Sequence, residues 1–203
     1  MQPLMRAAPS AFNGGPVLGA GLGWRSGAFI EGSPLLNVTM YLDVDGVVCP
    51  FGATGTTPWG SPWSLANAGM LEVGYAAELV AGLNGLARFP GLRCVWLTSW
   101  EDMAPRYLCP AIGLAGGRWP WLTAEGPGVG EGWWKLGALQ ADLAAATPKR
   151  IVWIDDQLRY ERDAQDWAGF LGARILAVSP DPRRGISPGE LAAVSAFVTA
   201  PVF

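Results

Sequence analysis

Tyr41-Leu42-Asp43-Val44-Asp45-Gly46-Val47-Val48 ends an apolar run that begins at Asn37, and its reading decides the fold. The run is continuous rather than alternating, as expected of a parallel strand covered on both faces by helices. Two acids spaced i, i+2 at the end of such a strand are costly unless they bind a cation or do chemistry, because isolated carboxylates are poorly tolerated there. Gly46 lets the chain turn sharply away from the sheet. The string alone also fits an Asp-rich turn with no further role.

Downstream, strand-like and helical runs alternate: a helix over Val73–Phe89, a strand over Leu92–Thr98, helices over Glu101–Ile112 and Trp133–Ala146, a strand over Arg150–Ile154, a helix over Arg159–Leu171 and a strand over Ala173–Val178. Buried strands alternating with helices predict an α/β fold, a doubly wound, Rossmann-like parallel sheet. Ser187-Pro188-Gly189-Glu190 has the form of a capping box with Pro at the first helical position, so a last helix is expected to run to about Val198. Cys49–Met70 and Ala115–Gly132, rich in Gly, Pro and Trp, interrupt the alternation as small loop-like insertions. They lie beside the carboxyl ends of strands, where open α/β sheets bind ligands, and are candidate lids. Residues 1–37, rich in Gly, Pro, Ala and Ser, read as a disordered leader, and residues 38–203 as one catalytic domain.

The chain has 203 residues, half of them hydrophobic, enough for one sizeable core. A formal net charge of -3 with 14 Lys+Arg gives no electrostatic footprint for sequence-independent binding to a phosphate backbone, although a small site could still process a terminal phosphate. There is no histidine, and Cys49, Cys94 and Cys109 form no CxxC pair, so the common zinc sites are excluded. A metal site must then use oxygen ligands, which points to Mg²⁺. Three scattered cysteines read as reduced core thiols and favour the cytoplasm. No stretch approaches the ~20 apolar residues needed to span a bilayer, so a soluble protein without a membrane partner is expected.

Two further strand ends and one helix start carry polar groups. Val95-Trp96-Leu97-Thr98-Ser99-Trp100 ends in hydroxyls; Thr98 could donate to a phosphate oxygen, or simply cap a helix. Lys135, in Trp133-Trp134-Lys135-Leu136, opens a helical stretch where a lone lysine is commonly solvated. Val152-Trp153-Ile154-Asp155-Asp156 repeats the pattern of two acids at the end of a buried run.

The order Asp-x-Asp-Gly, strand-Thr, Lys, strand-Asp-Asp resembles the four signature motifs of the haloacid dehalogenase-like (HAD-like) hydrolase superfamily, over Tyr41 to about Ser179. Within it, Leu97–Asp102, the Trp-Lys pair, Trp153–Asp156 and Asp181-Pro182-Arg183-Arg184-Gly185 resemble the HAD domain found in Swiss Army Knife RNA repair proteins. The resemblance implies a Mg²⁺-dependent phosphatase, a phosphoric monoester hydrolase, with Asp43 as nucleophile and Asp45 as general acid and base. It implies that Thr98 and Lys135 hold the phosphoryl oxygens, with Lys135 also balancing Asp43. It further implies a Mg²⁺ site formed by Asp43, the backbone carbonyl of Asp45 and Asp155, with Asp156 completing or orienting that shell.

Other residues carry two readings each. Trp59, Trp63, Trp100, Trp119, Trp121, Trp133 and Trp134 could stack bases, but no basic residues interleave with them and packing of lids and core is the simpler reading. Glu101 and Asp102 could stand behind the site or occupy a first helical turn. Arg183 and Arg184 could meet a substrate phosphate or be solvated, and Cys49 reads as a packing thiol. Short insertions leave the site open for a phosphorylated substrate that is bulky, such as a nucleic-acid end. A phosphotransferase and a catalytically silent binding module that kept the fold are the competing readings. Retention of Asp45 argues against a dehalogenase, and the intact acids argue against decay.

Overall fold

Every residue of Val38–Leu42 is buried, which follows from its place at the centre of the sheet. In the computed structural model, which describes residues 38–69, 71–125, 130 and 132–201, this segment is β1. It pairs in parallel with β4 (Leu92–Trp96) on one side and β5 (Arg150–Ile154) on the other, and β5 pairs in parallel with β6 (Ile175–Val178). The strand order β4-β1-β5-β6 makes the doubly wound parallel sheet that the apolar runs predicted. The expected leader and Met70 lie outside the described residues. All described residues fall in one compact unit, Pro34–Phe203. No helix among them is long and apolar enough to cross a membrane.

Side chains alternate across the sheet and build two cores. On one face Met40, Leu42, Trp96, Val152 and Ile154 pack against α1 (Ala77–Leu86) through Leu79 and Leu83, and against α5 (Pro188–Thr199) through Leu191, Val194 and Val198. On the other, Tyr41, Val95, Leu97, Ile151 and Trp153 meet Ala138 and Leu139 of α3 (Trp134–Ala146), and Ala164 of α4 (Arg162–Leu171). The capping box of α5 is present: Ser187 accepts from the Glu190 backbone N–H and Glu190 accepts from the Ser187 backbone N–H.

Four expected boundaries are corrected. Val73–Tyr75 is not the start of a helix but part of a strand, β3 (Glu72–Tyr75), paired antiparallel with β2 (Ser64–Asn67). Val73 and Tyr75 suit a pleated hairpin and Gly74 disfavours a helix, so α1 begins only at Ala77. The helix expected over Glu101–Ile112 starts as a π-helical turn, Ala104–Leu108, and becomes α-helical only in α2 (Cys109–Ile112), because Pro105 cannot donate into a regular ladder. The helix expected from Arg159 begins at Arg162, after a 3-10 turn over Asp156–Arg159. The strand expected from Ala173 begins at Ile175, after a 3-10 turn over Gly172–Arg174. The described part of the second insertion is tied to the sheet edge at Pro120–Leu122. The Trp96 N–H donates to Pro120 and the Leu122 N–H donates to Trp96, forming a parallel bridge between Trp96 and Trp121.

A polar cluster fixes α3 to the sheet. Tyr41 Oη donates to Asp142 Oδ2 at 2.6 Å, and Arg93 clamps both oxygens of the same carboxylate, at 2.6 and 2.8 Å. Burial pushes the Asp142 carboxyl up, but the bonds from Arg93 and Tyr41 outweigh it and hold the group below its ordinary value. Burial, with Asp142 beside it, pushes the Tyr41 phenol above its ordinary range. Replacing Asp142 by Ala leaves the buried phenol without its acceptor and is expected to cost about 1–3 kcal/mol, read as a lower midpoint in urea. An unchanged midpoint would mean that the cluster holds nothing in place.

Candidate active site

The parallel register brings the polar residues to one edge. Leu42 is aligned with both Trp96 and Ile154, so the residues that follow, Asp43, Thr98 and Asp155, leave the sheet together at its carboxyl end. The Asp43 N–H still donates to Ile154 and the Leu97 N–H to Leu42, while the Asp155 N–H donates to Val178. Beyond β1 the chain coils on itself, the N–H groups of Val47, Val48 and Cys49 all donating to the Val44 carbonyl. Gly46 has φ +70 at this turn, and a Cβ there would come within 2.7 Å of the Asp156 carboxyl. Only glycine lets the turn and Asp156 approach so closely.

Lys135, at the first turn of α3, reaches the same point. Its ammonium lies 2.6 Å from Asp43 Oδ2 and 2.7 Å from Asp155 Oδ2, and all three residues are almost fully buried. It is not the solvated helix residue that its position also allowed. Burial lowers the Lys135 pKa, but Asp43 and Asp155 more than reverse this and keep it raised. The indole rings of Trp133 and Trp134 stand 5.8 and 6.0 Å from the ammonium and add favourable ring faces. Asp43 Oδ1 accepts from the Val44 N–H at 2.7 Å, and Asp155 Oδ1 from the Gln157 N–H at 2.9 Å, so both carboxylates are held at two points.

Carboxylate oxygens of Asp43, Asp155 and Asp156 lie within 4.8 Å of one another, a buried set that could hold a metal ion. Asp45 is half-buried and its side chain lies outside this set. Its Oδ2 accepts instead from the indole N–H of Trp100 at 3.0 Å. Burial raises the Asp45 pKa; Trp100 opposes the rise and Asp43 adds to it. Four carboxyl groups therefore gather around a single ammonium. The Asp155 and Asp156 carboxyls are pushed up by burial and next by the charge of Asp43. A hard divalent cation suits this donor set: it is all oxygen, carries excess negative charge and is backed by a turn that a Cβ would block.

Thr98 is fully buried, and its Oγ1 accepts from the Trp100 N–H at 3.3 Å. That bond uses only an acceptor position and leaves the hydroxyl proton for another partner. Trp100 is the residue that sequence reasoning did not single out for the site: it was one of several tryptophans in a possible stacking set, and only its place two residues beyond Thr98 hinted at more. The others do pack. Trp96 lies against Trp119 and Trp133 stacks on Trp153, with ring centroids 5.0 and 5.2 Å apart. Glu101, at φ +45, is not in a helix; its carboxylate accepts from the Ala124 N–H, and Asp102 pairs with Arg106. The three cysteines are free and buried, and burial pushes each thiol up to about 12.

The family model described as the HAD domain in Swiss Army Knife RNA repair proteins matches residues 39–191, which include every residue of this site. No curated protein and no solved structure gives a match to the chain.

Proposed function

The chain belongs to the family of HAD domains found in Swiss Army Knife RNA repair proteins, and from that premise we propose that it is a Mg²⁺-dependent phosphomonoesterase acting through an aspartyl-phosphate on Asp43. The observation that carries this reading is Lys135 bridging Asp43 and Asp155, with Asp156 in the same buried cluster and Asp45 beside it. Asp43, Asp155 and Asp156 would hold the ion, with the Asp45 carbonyl as a further ligand. Once bound, the cation offsets the repulsion between carboxylate and phosphate.

The chain's own groups do the rest. An Asp43 oxygen attacks phosphorus as the bond to the leaving oxygen breaks, and the proton from Asp45 goes to that oxygen. Asp45, now a carboxylate, takes a proton from water as that water attacks phosphorus. The bond to Asp43 then breaks, which frees inorganic phosphate and restores both groups. A carboxyl with a raised pKa suits both tasks, and the Trp100 indole fixes which oxygen stays bonded, leaving the other free for the proton. Lys135 and Thr98 are the donors for the phosphoryl oxygens.

A bulky substrate such as a phosphorylated nucleic-acid end is the class we favour. What supports it is the turn Asp181–Gly185. The Ile186 N–H donates to Val47 and the Phe51 N–H to Pro182, which dock this turn on the loop that follows Asp43. Arg183 and Arg184 are exposed there and line a cavity of about 590 Å³. Neither forms an ion pair among the described residues. The reduced, buried thiols fit the cytoplasm.

Binding of the ion is expected to depend on pH. The Asp155 and Asp156 carboxyls hold protons more tightly in the folded chain than in the unfolded one. Without metal, stability therefore falls as pH rises from the ordinary aspartate value of about 3.9 through the raised values. Mg²⁺ competes with those protons, so the rise in Tm that it gives should be larger at pH 8 than at pH 5. A Tm indifferent to Mg²⁺ at both pH values would remove the metal from the account.

The functional test is release of phosphate from p-nitrophenyl phosphate and from oligonucleotides phosphorylated at the 3′ or 5′ end, with Mg²⁺ and with a chelator. Metal-dependent turnover is expected, with oligonucleotides preferred. Silence of folded protein on every substrate would favour a binding module instead, and turnover of small esters alone would overturn the nucleic-acid end.

A further inference from the structure

Beside Asp45, and sharing no lining residue with the cavity at the Arg183–Arg184 turn, lies a cavity of about 560 Å³ lined by Asp45, Gly69, Leu71, Trp100, Met103 and Tyr107, with Ala68 and Ser99 completing it. Its size falls within the ~300–1,000 Å³ of pockets that take small molecules. We propose that this cavity is the leaving-group subsite, and that it takes the uncharged portion of the alcohol next to the scissile oxygen, a portion that carries a planar ring. The proposal rests on the phosphatase reading, in which Asp45 protonates the leaving oxygen. A group that fills this cavity, the larger of two that Asp45 lines, then sits against that oxygen.

The lining argues the chemistry. Among the described residues the lining contains no Lys or Arg, so a second phosphate there would face Asp45 with no cation of that lining to neutralise it. Leu71, Met103 and Tyr107 are 58, 39 and 50 % exposed, three large apolar side chains turned to one hollow in the free protein. Their contact with water is released when an apolar group enters. Two of the walls, Trp100 and Tyr107, are held before that happens. The Trp100 indole is locked by its bond to Asp45 and is nearly buried. The tip of the β2–β3 hairpin lies directly on Tyr107: Gly69 has φ +89, and a Cβ there would come within 3.2 Å of the Tyr107 ring. Two aromatic side chains and a thioether favour a flat ring over a flexible chain through face, edge and sulfur contacts.

The test compares esters whose alcohols are of similar acidity, so that intrinsic reactivity does not decide the order. Initial rates with Mg²⁺ are measured for ethyl, hexyl and benzyl phosphate, and for uridine 5′-monophosphate beside ribose 5-phosphate, which lacks the ring. For wild type, kcat/KM for benzyl phosphate should exceed that for ethyl phosphate by about tenfold or more, with hexyl phosphate between them. In Tyr107→Ala, and in Leu71→Ser as a second variant, that ratio should fall about tenfold. A matching fall in the ratio of uridine 5′-monophosphate to ribose 5-phosphate would identify the ring as a nucleobase. A fall confined to the benzyl ratio would identify it as an aryl group. Equal rates for ethyl, hexyl and benzyl phosphate, or ratios that neither variant moves, would overturn the subsite and leave the phosphatase standing. Hexyl phosphate matching benzyl phosphate would overturn the ring. No turnover of any ester would overturn the phosphatase reading and the subsite with it.

Discussion

Asp43→Asn is expected to lower phosphate release by at least about four orders of magnitude while leaving the protein folded and no less stable at neutral pH. An amide keeps the shape of the carboxyl but cannot attack phosphorus, so the covalent route is closed. The stability arm follows from the charges. Asp43, Asp45, Asp155 and Asp156 crowd one ammonium, and the charge of Asp43 contributes to raising the pKa of the other three. Removing it relieves that repulsion, and Lys135 retains Asp155 at 2.7 Å. The measurement is a pair of curves, phosphate release and thermal melting, on the same preparations. Retained turnover would dismiss Asp43 as nucleophile, and a large fall in Tm would recast it as a structural group.

Lys135→Met should be the most destabilising single change at the site. The ammonium is nearly fully buried and serves both Asp43 and Asp155. Without it two buried carboxylates face each other uncompensated, a loss of about 3–5 kcal/mol by the usual cost of breaking a buried pair. Turnover should vanish as well, since nothing else among the described residues brings a positive charge to Asp43. Mg²⁺ should return part of the lost stability, because a cation among the same oxygens supplies the missing charge. Urea denaturation with and without Mg²⁺ measures both effects. A variant as stable as wild type without metal would show that the pair contributes nothing to the fold.

How far these residues could be read from the sequence varies with the physics of each. β1 and β5 were legible because a strand covered on both faces must be apolar throughout, and acids at its end stand out against that run. The β2–β3 hairpin was not: Ser64–Asn67 is short and alternately exposed, and Val73–Tyr75 runs without a turn signal into an amphipathic helix. The π-helical turn at Ala104–Leu108 was hidden because it lies inside an otherwise helical run, whose residue pattern does not separate a π-turn from an α-helix. Lys135 is 92 residues from Asp43 in the chain, and no local pattern joins them. Only the order of the four motifs suggested their meeting. Trp100 carried less signal still, since the geometry that matters, an indole N–H directed at Asp45, depends on the turn following β4.

The central claim, that Asp43 carries the phosphoryl group, is tested most directly by acid-quenching the protein within its first turnovers of a labelled phosphomonoester with Mg²⁺ and locating the label by peptide mass spectrometry. The account predicts an acid-stable, hydroxylamine-sensitive phosphoryl group on the peptide that contains Asp43, accumulating further in Asp45→Asn, where the second displacement lacks its base. Turnover with no label on that peptide in either protein would contradict it.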